Sequence, residues 1–419
     1  MIPKVLIELD KIPLTNNGKA DKKALPKPDV QQNYETYEYV APKTEFQKVV
    51  AEVWMSILGC RRISLNDDFF ELGGHSLLAL KAMLAIEKKT GKRLPLAMLL
   101  ENSTIEKFSA VVERKNEEIK WDSFVPIKPT GTKPPIYFIH GAGLNVLTFR
   151  SISKHLHPEQ PVYGLQAKGL NGKDEPLSRM EDIAAHYIGE ILKHNPNGPY
   201  ALAGYSFGGL IAYEMAKQLK ELKKEVILLA LFDTAAEQSD YYDSWSKKIP
   251  SRINTFFAKV WCTVDLMSKD PWFIIKYRIK SLRKKALALF EGMDFLEGEK
   301  DNFYIYSKKI IGNLFIAARD YKLTPYDGKI DLFRARRKTY YLPDFKYLGW
   351  RNLALGGITV HDVPGDHSEM FNHPNVEELA KILQESLDTA AEKGPEKKGF
   401  NSFLKVVTYA GCLCEMLLF

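Results

Sequence analysis

A serine framed by glycines stands at Gly204-Tyr205-Ser206-Phe207-Gly208-Gly209, directly after a short apolar run, Tyr200 to Ala203, and before a helical pattern from Leu210. Such a strand-to-helix turn presents the hydroxyl as a nucleophile. The turn forces strained backbone angles, flanking glycines remove side chains that would clash, and the helix N-terminus aims free amides at a developing oxyanion. The bare spacing arises by chance in roughly one chain of this length in ten, so the strand before and the helix after carry the reading. A serine needs a base, and the base an orienting acid, which in sheets of this kind follow in the order serine, acid, histidine. Asp233 closes the apolar run Val226 to Phe232, and His367 lies in the loop Val363 to Met370, just past the run Ile358 to Val360. Both positions are carboxyl ends of strands, where open parallel sheets place function. His361 and His373 are rival bases, and Asp327, Asp344, Asp362 and Asp366 are rival acids. The loop His140-Gly141-Ala142-Gly143 supplies a second oxyanion donor, which makes the backbone amides of Ala142 and Phe207 the expected oxyanion hole.

A second serine draws notice. In Asp67-Asp-Phe-Phe-Glu-Leu-Gly-Gly-His-Ser-Leu-Leu78, Ser76 opens a helix behind two glycines. The free amides and dipole of a helix N-terminus suit a phosphate. An N-cap serine is the plainer reading of the same residue.

These residues need elements to hold them. At 419 residues the chain exceeds one typical core, and 45% hydrophobic with 26% charged residues is a globular balance. Residues 1–29 are basic and too short for a core, and the polar residues 30–42 read as a linker. Residues 43–116 carry helical periodicity. Phe46, Val49, Val50, Val53, Trp54 and Ile57 share one face behind a capping Thr44. Leu77, Leu78, Leu80, Met83 and Ile86 mark a second helix, and Ile105, Phe108, Val111 and Val112 a third after Thr104. Short loops between them imply a small all-α bundle. The Pro-, Gly- and Lys-bearing stretch 121–134 reads as linker, with the interdomain linker at 117–130. Beyond it, apolar runs at 136–139, 162–165, 200–203 and 226–232 alternate with helical patterns at Met180–His194 and Leu210–Leu222. That alternation predicts a parallel sheet covered on both faces. Residues 238–320 lose the strand signal and read as a helical lid, strands return at 330–333 and 358–360, and 391–419 form a tail.

Several classes are excluded. A net charge of +7 is mild for this length and does not make a nucleic-acid binder. The four cysteines, Cys60, Cys262, Cys412 and Cys414, form neither a CxxC pair nor a zinc-ligand spacing, so no metal and no disulfide framework is expected, and the chain suits a reducing cytoplasm. The N-terminus lacks the apolar region of a secretory signal. The apolar stretch Ser402–Phe419 carries Lys405 and Glu415 and falls short of the roughly 20 apolar residues of a membrane span. It reads as a docking helix or disordered end rather than a membrane contact.

The stretch DDFFELGGHSLLALK, Asp67 to Lys81, resembles the phosphopantetheine attachment site of peptidyl carrier proteins. The resemblance implies that a phosphopantetheinyl transferase places 4'-phosphopantetheine on Ser76. Residues 131 to about 390, with HGAG, GYSFGG, Phe232-Asp233-Thr234 and GDHSEMF, resemble the α/β-hydrolase thioesterase domain that ends many nonribosomal peptide synthetases. Residues 8–26 resemble the closing motif of an adenylation domain, in which Lys19 would be the active-site lysine. That match spans only a few dozen residues, which implies no nucleotide pocket and no amino-acid activation by this chain alone. The implied whole is the tail of a longer synthetase. Upstream modules would load a peptidyl or acyl thioester on the Ser76 arm, and Ser206 would take the acyl group and release it by hydrolysis or cyclisation. An editing thioesterase or ester hydrolase, or a carrier module with an inactive thioesterase, are the alternatives.

Overall fold

The computed structural model describes residues 39–114, 121–236, 302–338 and 344–393, with single positions at 13 and between 264 and 279. Lys19 and nearly all of residues 1–29, most of the 30–42 linker, the expected lid up to residue 301 and the tail beyond residue 393 lie outside them. The chain divides into two units, Met1–Ile119 and Lys120–Phe419.

In the first unit, Thr44 starts α1 (Glu45–Leu58) through a capping box. Its hydroxyl accepts from the Gln47 amide, and the Gln47 side chain accepts from the Thr44 amide. Gly59, at φ 71°, ends the helix in the left-handed region. Helices α2 (Ser76–Thr90), α3 (Leu96–Glu101) and α4 (Ile105–Val112) complete the bundle. Phe46 stacks on Phe108, and Trp54 meets the ring of Phe69 edge-on. The short α3, with Ala97, Met98, Leu99 and Leu100 buried, has too few turns to show a helical period. Ahead of α2, the Asp68 carboxylate accepts from the amides of Phe70 and Glu71 and from the Ser103 hydroxyl, which ties the loop before Ser76 to the entry of α4.

The second unit is built on one seven-stranded sheet in the order β1-β3-β2-β4-β5-β6-β7. The strands are β1 (Phe124–Lys128), β2 (Ile136–Ile139), β3 (Val162–Leu165), β4 (Tyr200–Tyr205), β5 (Val226–Phe232), β6 (Ile330–Ala335) and β7 (Ile358–Val363). All neighbours pair parallel except β1 with β3, which pair antiparallel. The sheet is therefore mixed, and part of the expected 117–130 linker is a strand. Val125 is buried, and Pro126, which cannot donate to a ladder, is tolerated because β1 lies at the sheet's edge. The edge strand, Phe124–Lys128, falls within the residues that read as linker.

Among the described residues five helices accompany the sheet: α5 (Phe149–His155), α6 (Met180–His194), α7 (Phe207–Glu221), α8 (Asn302–Asp320) and α9 (Asn375–Lys393). Helix α6 packs beside α7, and α5 beside α9. The central strand β4 is sealed, with Tyr200 to Ala203 fully buried. The parallel strands all send their carboxyl ends to one edge, and the chemistry-bearing loops leave from there.

Replacing Thr44 by alanine removes the hydroxyl arm of the capping box and leaves the Thr44 amide donating to the Gln47 side chain. The expected loss is about 1 kcal/mol of first-unit stability, read as faster hydrogen exchange at the α1 amides.

Candidate active site

The turn from β4 into α7 takes a single residue. Ser206 sits at φ 54° and ψ −120°, a strained left-handed conformation for a residue with a side chain. Its neighbours make that turn possible. A Cβ on Gly208 would stand 2.4 Å from the carbonyl oxygen of His140, and one on Gly209 would stand 2.0 Å from Oγ1 of Thr234. The first turn of α7 thus lies directly against the ends of β2 and β5. Ser206 N–H donates to the Phe232 carbonyl at 3.0 Å, and the Thr234 hydroxyl donates to the Ser206 carbonyl at 2.9 Å. Trp350, fully buried, donates from Nε1 to the Thr234 carbonyl at 2.7 Å.

Asp233 follows β5 at φ 45°. Its amide donates to Phe333 at the carboxyl end of β6, and its Oδ1 accepts from the Ala335 amide at 3.2 Å. Its Oδ2 lies 2.7 Å from Nδ1 of His367. The carboxylate is buried between two strand ends, and the imidazole is half-buried. An Nδ1–H donated to Asp233 leaves Nε2 as the basic nitrogen. Tyr205 fixes the other side of the histidine loop. Its hydroxyl donates to the His367 carbonyl at 2.5 Å, and its ring lies 5.1 Å from the imidazole at 31°. Phe371 meets Tyr205 edge-on. Burial, then the charges of Asp233 and Asp366, push the Tyr205 phenol well above its ordinary value, so it stays a donor.

Ser206, Asp233, His367, Ala142 and Phe207 line one cavity of about 540 Å³, with Leu210, Ala235 and three residues of α8. The loop bearing Ala142 is held from beneath. His140 is fully buried, with Nδ1 2.7 Å from the Gly141 carbonyl and Nε2 2.8 Å from the Tyr187 hydroxyl. Burial lowers the His140 pKa to about 4, so the ring is neutral and donates from Nδ1 while accepting from Tyr187. The Gly141 carbonyl is thereby pinned under the loop.

In the first unit, Ser76 is the first residue of α2. The cap position belongs to His75, in extended backbone, with no side-chain hydrogen bond to the first turn. The N-cap reading of Ser76 therefore fails by one position, and the leading amides of a 15-residue helix stand uncapped beside it.

Comparison with known proteins assigns both units. Residues 48–112 match the phosphopantetheine attachment site family, and residues 134–260 match the thioesterase domain family. Malpibaldin synthetase of Mortierella alpina is 34% identical over 374 residues, 88% of this chain and 6% of the relative. Enterobactin synthase component F of Escherichia coli K12 is 30% identical over 395 residues, 93% of this chain and 28% of the relative. A crystal structure of a four-domain nonribosomal peptide synthetase bound to AMP and glycine superposes with a TM-score of 0.51 at 30% identity, covering 92% of this chain and 29% of that one. The chain joins a phosphopantetheine-attachment domain to a thioesterase domain, and over most of its length it is similar to nonribosomal peptide synthetases. It spans a small part of each of these relatives.

A carrier domain of this family holds 4'-phosphopantetheine covalently, and the start of α2 fits the group. The uncapped amides and helix dipole favour a phosphate, and nothing lies within 4 Å of where a Cβ on Gly73 would point. The thioesterase's rival residues are otherwise engaged. His361 pairs with Asp331 at 2.8 Å and His373 with Glu377 at 3.0 Å. Asp366 accepts from the amides of Ser368 and Glu369, Asp344 from those of Lys346 and Tyr347, Asp362 pairs with Arg334, and Asp327 with Lys220. Among the described residues no cluster of His, Cys, Asp and Glu could hold a metal, and no helix is long and apolar enough to cross a membrane. Sequence reasoning missed Tyr205, Tyr187 and the role of His140. Tyr205 fills a variable place in the serine motif, and the partners of Tyr187 and His140 lie 47 positions apart.

In the carrier–thioesterase, Tyr205→Phe keeps the ring and loses the bond to the His367 loop. A fall of about 10-fold in kcat with KM nearly unchanged is expected in steady-state thioester hydrolysis. His140 binds its proton only near pH 4 when folded but at its ordinary 6.5 when unfolded. Its contribution is therefore complete above pH 6.5 and lost as pH falls from there toward 4, by on the order of 3 kcal/mol. Chemical denaturation across that range, with the His140 ring followed by NMR, reads both.

Proposed function

We propose that Ser206, Asp233 and His367 act as nucleophile, orienting acid and general base of the thioesterase, and that Ser76 carries its phosphopantetheine. What supports the reading most is the 2.7 Å Asp233–His367 contact opening onto the same cavity as a strained serine at a strand-to-helix turn. When bound, phosphopantetheine supplies a thiol that presents an acyl group as a thioester. His367 Nε2 takes the Ser206 proton as Oγ attacks the thioester carbonyl. Amides of Ala142 and Phe207 hold the oxyanion. His367 would give that proton to the leaving sulfur as the C–S bond breaks, and Ser206 would keep the acyl group as an ester. His367 then deprotonates water, or an internal nucleophile of the acyl chain, whose attack on the ester returns Ser206 with its proton. Tethering the carrier to the thioesterase raises the local substrate concentration. Upstream modules supply the peptidyl or acyl group, and a phosphopantetheinyl transferase modifies Ser76.

Intact-mass measurement on protein charged with a peptidyl mimic tests this. Ser206→Ala should accept phosphopantetheine and acyl group on Ser76 and release product at least about 10⁴-fold more slowly. Ser76→Ala should stay unmodified yet still hydrolyse a free thioester. Release at the parental rate by Ser206→Ala would refute the assignment.

A further inference from the structure

Among the described residues, the side chains that line the cavity beside Ser206, Asp233 and His367 are apolar. Leu210 and Ala235 contribute one part of this lining, and Ile311, Leu314 and Phe315 of α8 another. Among the described residues no lysine, arginine or second carboxylate lines it. At about 540 Å³ it is of the size that encloses a small organic ligand.

The α8 wall is tied to the scaffold from several sides. Ile310, Leu314 and Ala317 bury one face of the helix. Asn313 donates to the Pro176 carbonyl at 2.9 Å. Just past α8, Tyr321 donates to Glu214 of α7 at 2.7 Å, and Glu214 is a buried acid also bonded to Lys217 and Gln218. Tyr213 donates to the Thr324 and Leu353 carbonyls at 2.8 and 3.0 Å. The same helix that carries the Ser206 turn thus anchors the segment that follows α8.

Resting on the release reading, we infer that the acyl residue next to the scissile carbonyl is apolar and uncharged, and that Ile311 and Phe315 select it. An acidic side chain here would give up its water and face the Asp233 carboxylate. A basic one would give up its water and compete with His367 for that carboxylate. An aliphatic or aromatic side chain exchanges water for the α8 wall. Phe315, 65% exposed, can be changed without disturbing the core.

The test uses N-acetylcysteamine thioesters of N-acetylated leucine, phenylalanine, aspartate and lysine, with acylation of Ser206 followed by mass. The leucyl and phenylalanyl thioesters should exceed the other two in kcat/KM by about 100-fold. Phe315→Lys, with its fold checked by circular dichroism, should raise the aspartyl-to-leucyl ratio by about 10-fold. Acylation of Ser206 by all four thioesters within about threefold of one another would overturn the selectivity and leave the release reading standing. No acylation of Ser206 by any of them would overturn the release reading and this inference with it.

Discussion

A chain can pass from a buried strand into a helix within one residue only where its neighbours come to contact distance, and at Ser206 two missing side chains permit it. The first turn of α7 touches the His140 carbonyl at Gly208 and the Thr234 side chain at Gly209. Much else follows from that contact. It brings the ends of β2, β4 and β5 to one spot, so the loop bearing Ala142 and the residue after β5, Asp233, both open onto the Ser206 cavity. It also faces the helix's leading amides toward that cavity, where a negative charge gains from them. The strained φ of Ser206 is held by bonds on both sides, from its own amide to Phe232 and to its carbonyl from Thr234.

Around this contact the polar groups are spent on position. Asp233 is oriented by an amide of β6 before it meets His367, Tyr205 grips the histidine loop by its carbonyl, and His140 bridges Tyr187 and Gly141. Each is a buried group with a partner, so each rotamer is specified at low dielectric, where leaving it unpaired would cost most. The two tyrosines are kept protonated by burial, and the histidine beneath the loop is kept neutral by it. None of the three can exchange a proton near neutrality, which suits groups whose task is to hold shape.

The sequence made β2 to β7 legible because each holds a short apolar run, and it made Ser206, Asp233 and His367 legible because each falls just past such a run. Those three candidates converge on one cavity in the fold. What stayed hidden has physical reasons. β1 reads as a linker because an edge strand is half solvated and admits Pro126 and Lys128. α3 is too short for a period to register. Ser76 was one place out as a cap because His75 and serine both occur before helices, and only backbone angles decide. Tyr205, Tyr187 and Glu214 act through partners 47 to 162 positions away, which no local pattern encodes.

The antiparallel edge strand has a mechanical meaning. β1 is the first strand after the segment that joins the two units, and it lies along β3 with its rungs at right angles to the chain. A pull along the chain from residue 120 would load those rungs together, in shear, rather than peel them one at a time. Lys128 adds a clamp at the far end, reaching the carbonyls of Leu156 and His157. Between β1 and β4 stand β3 and β2, so a load taken up by the β1 rungs enters the sheet two strands away from the one that leads to Ser206.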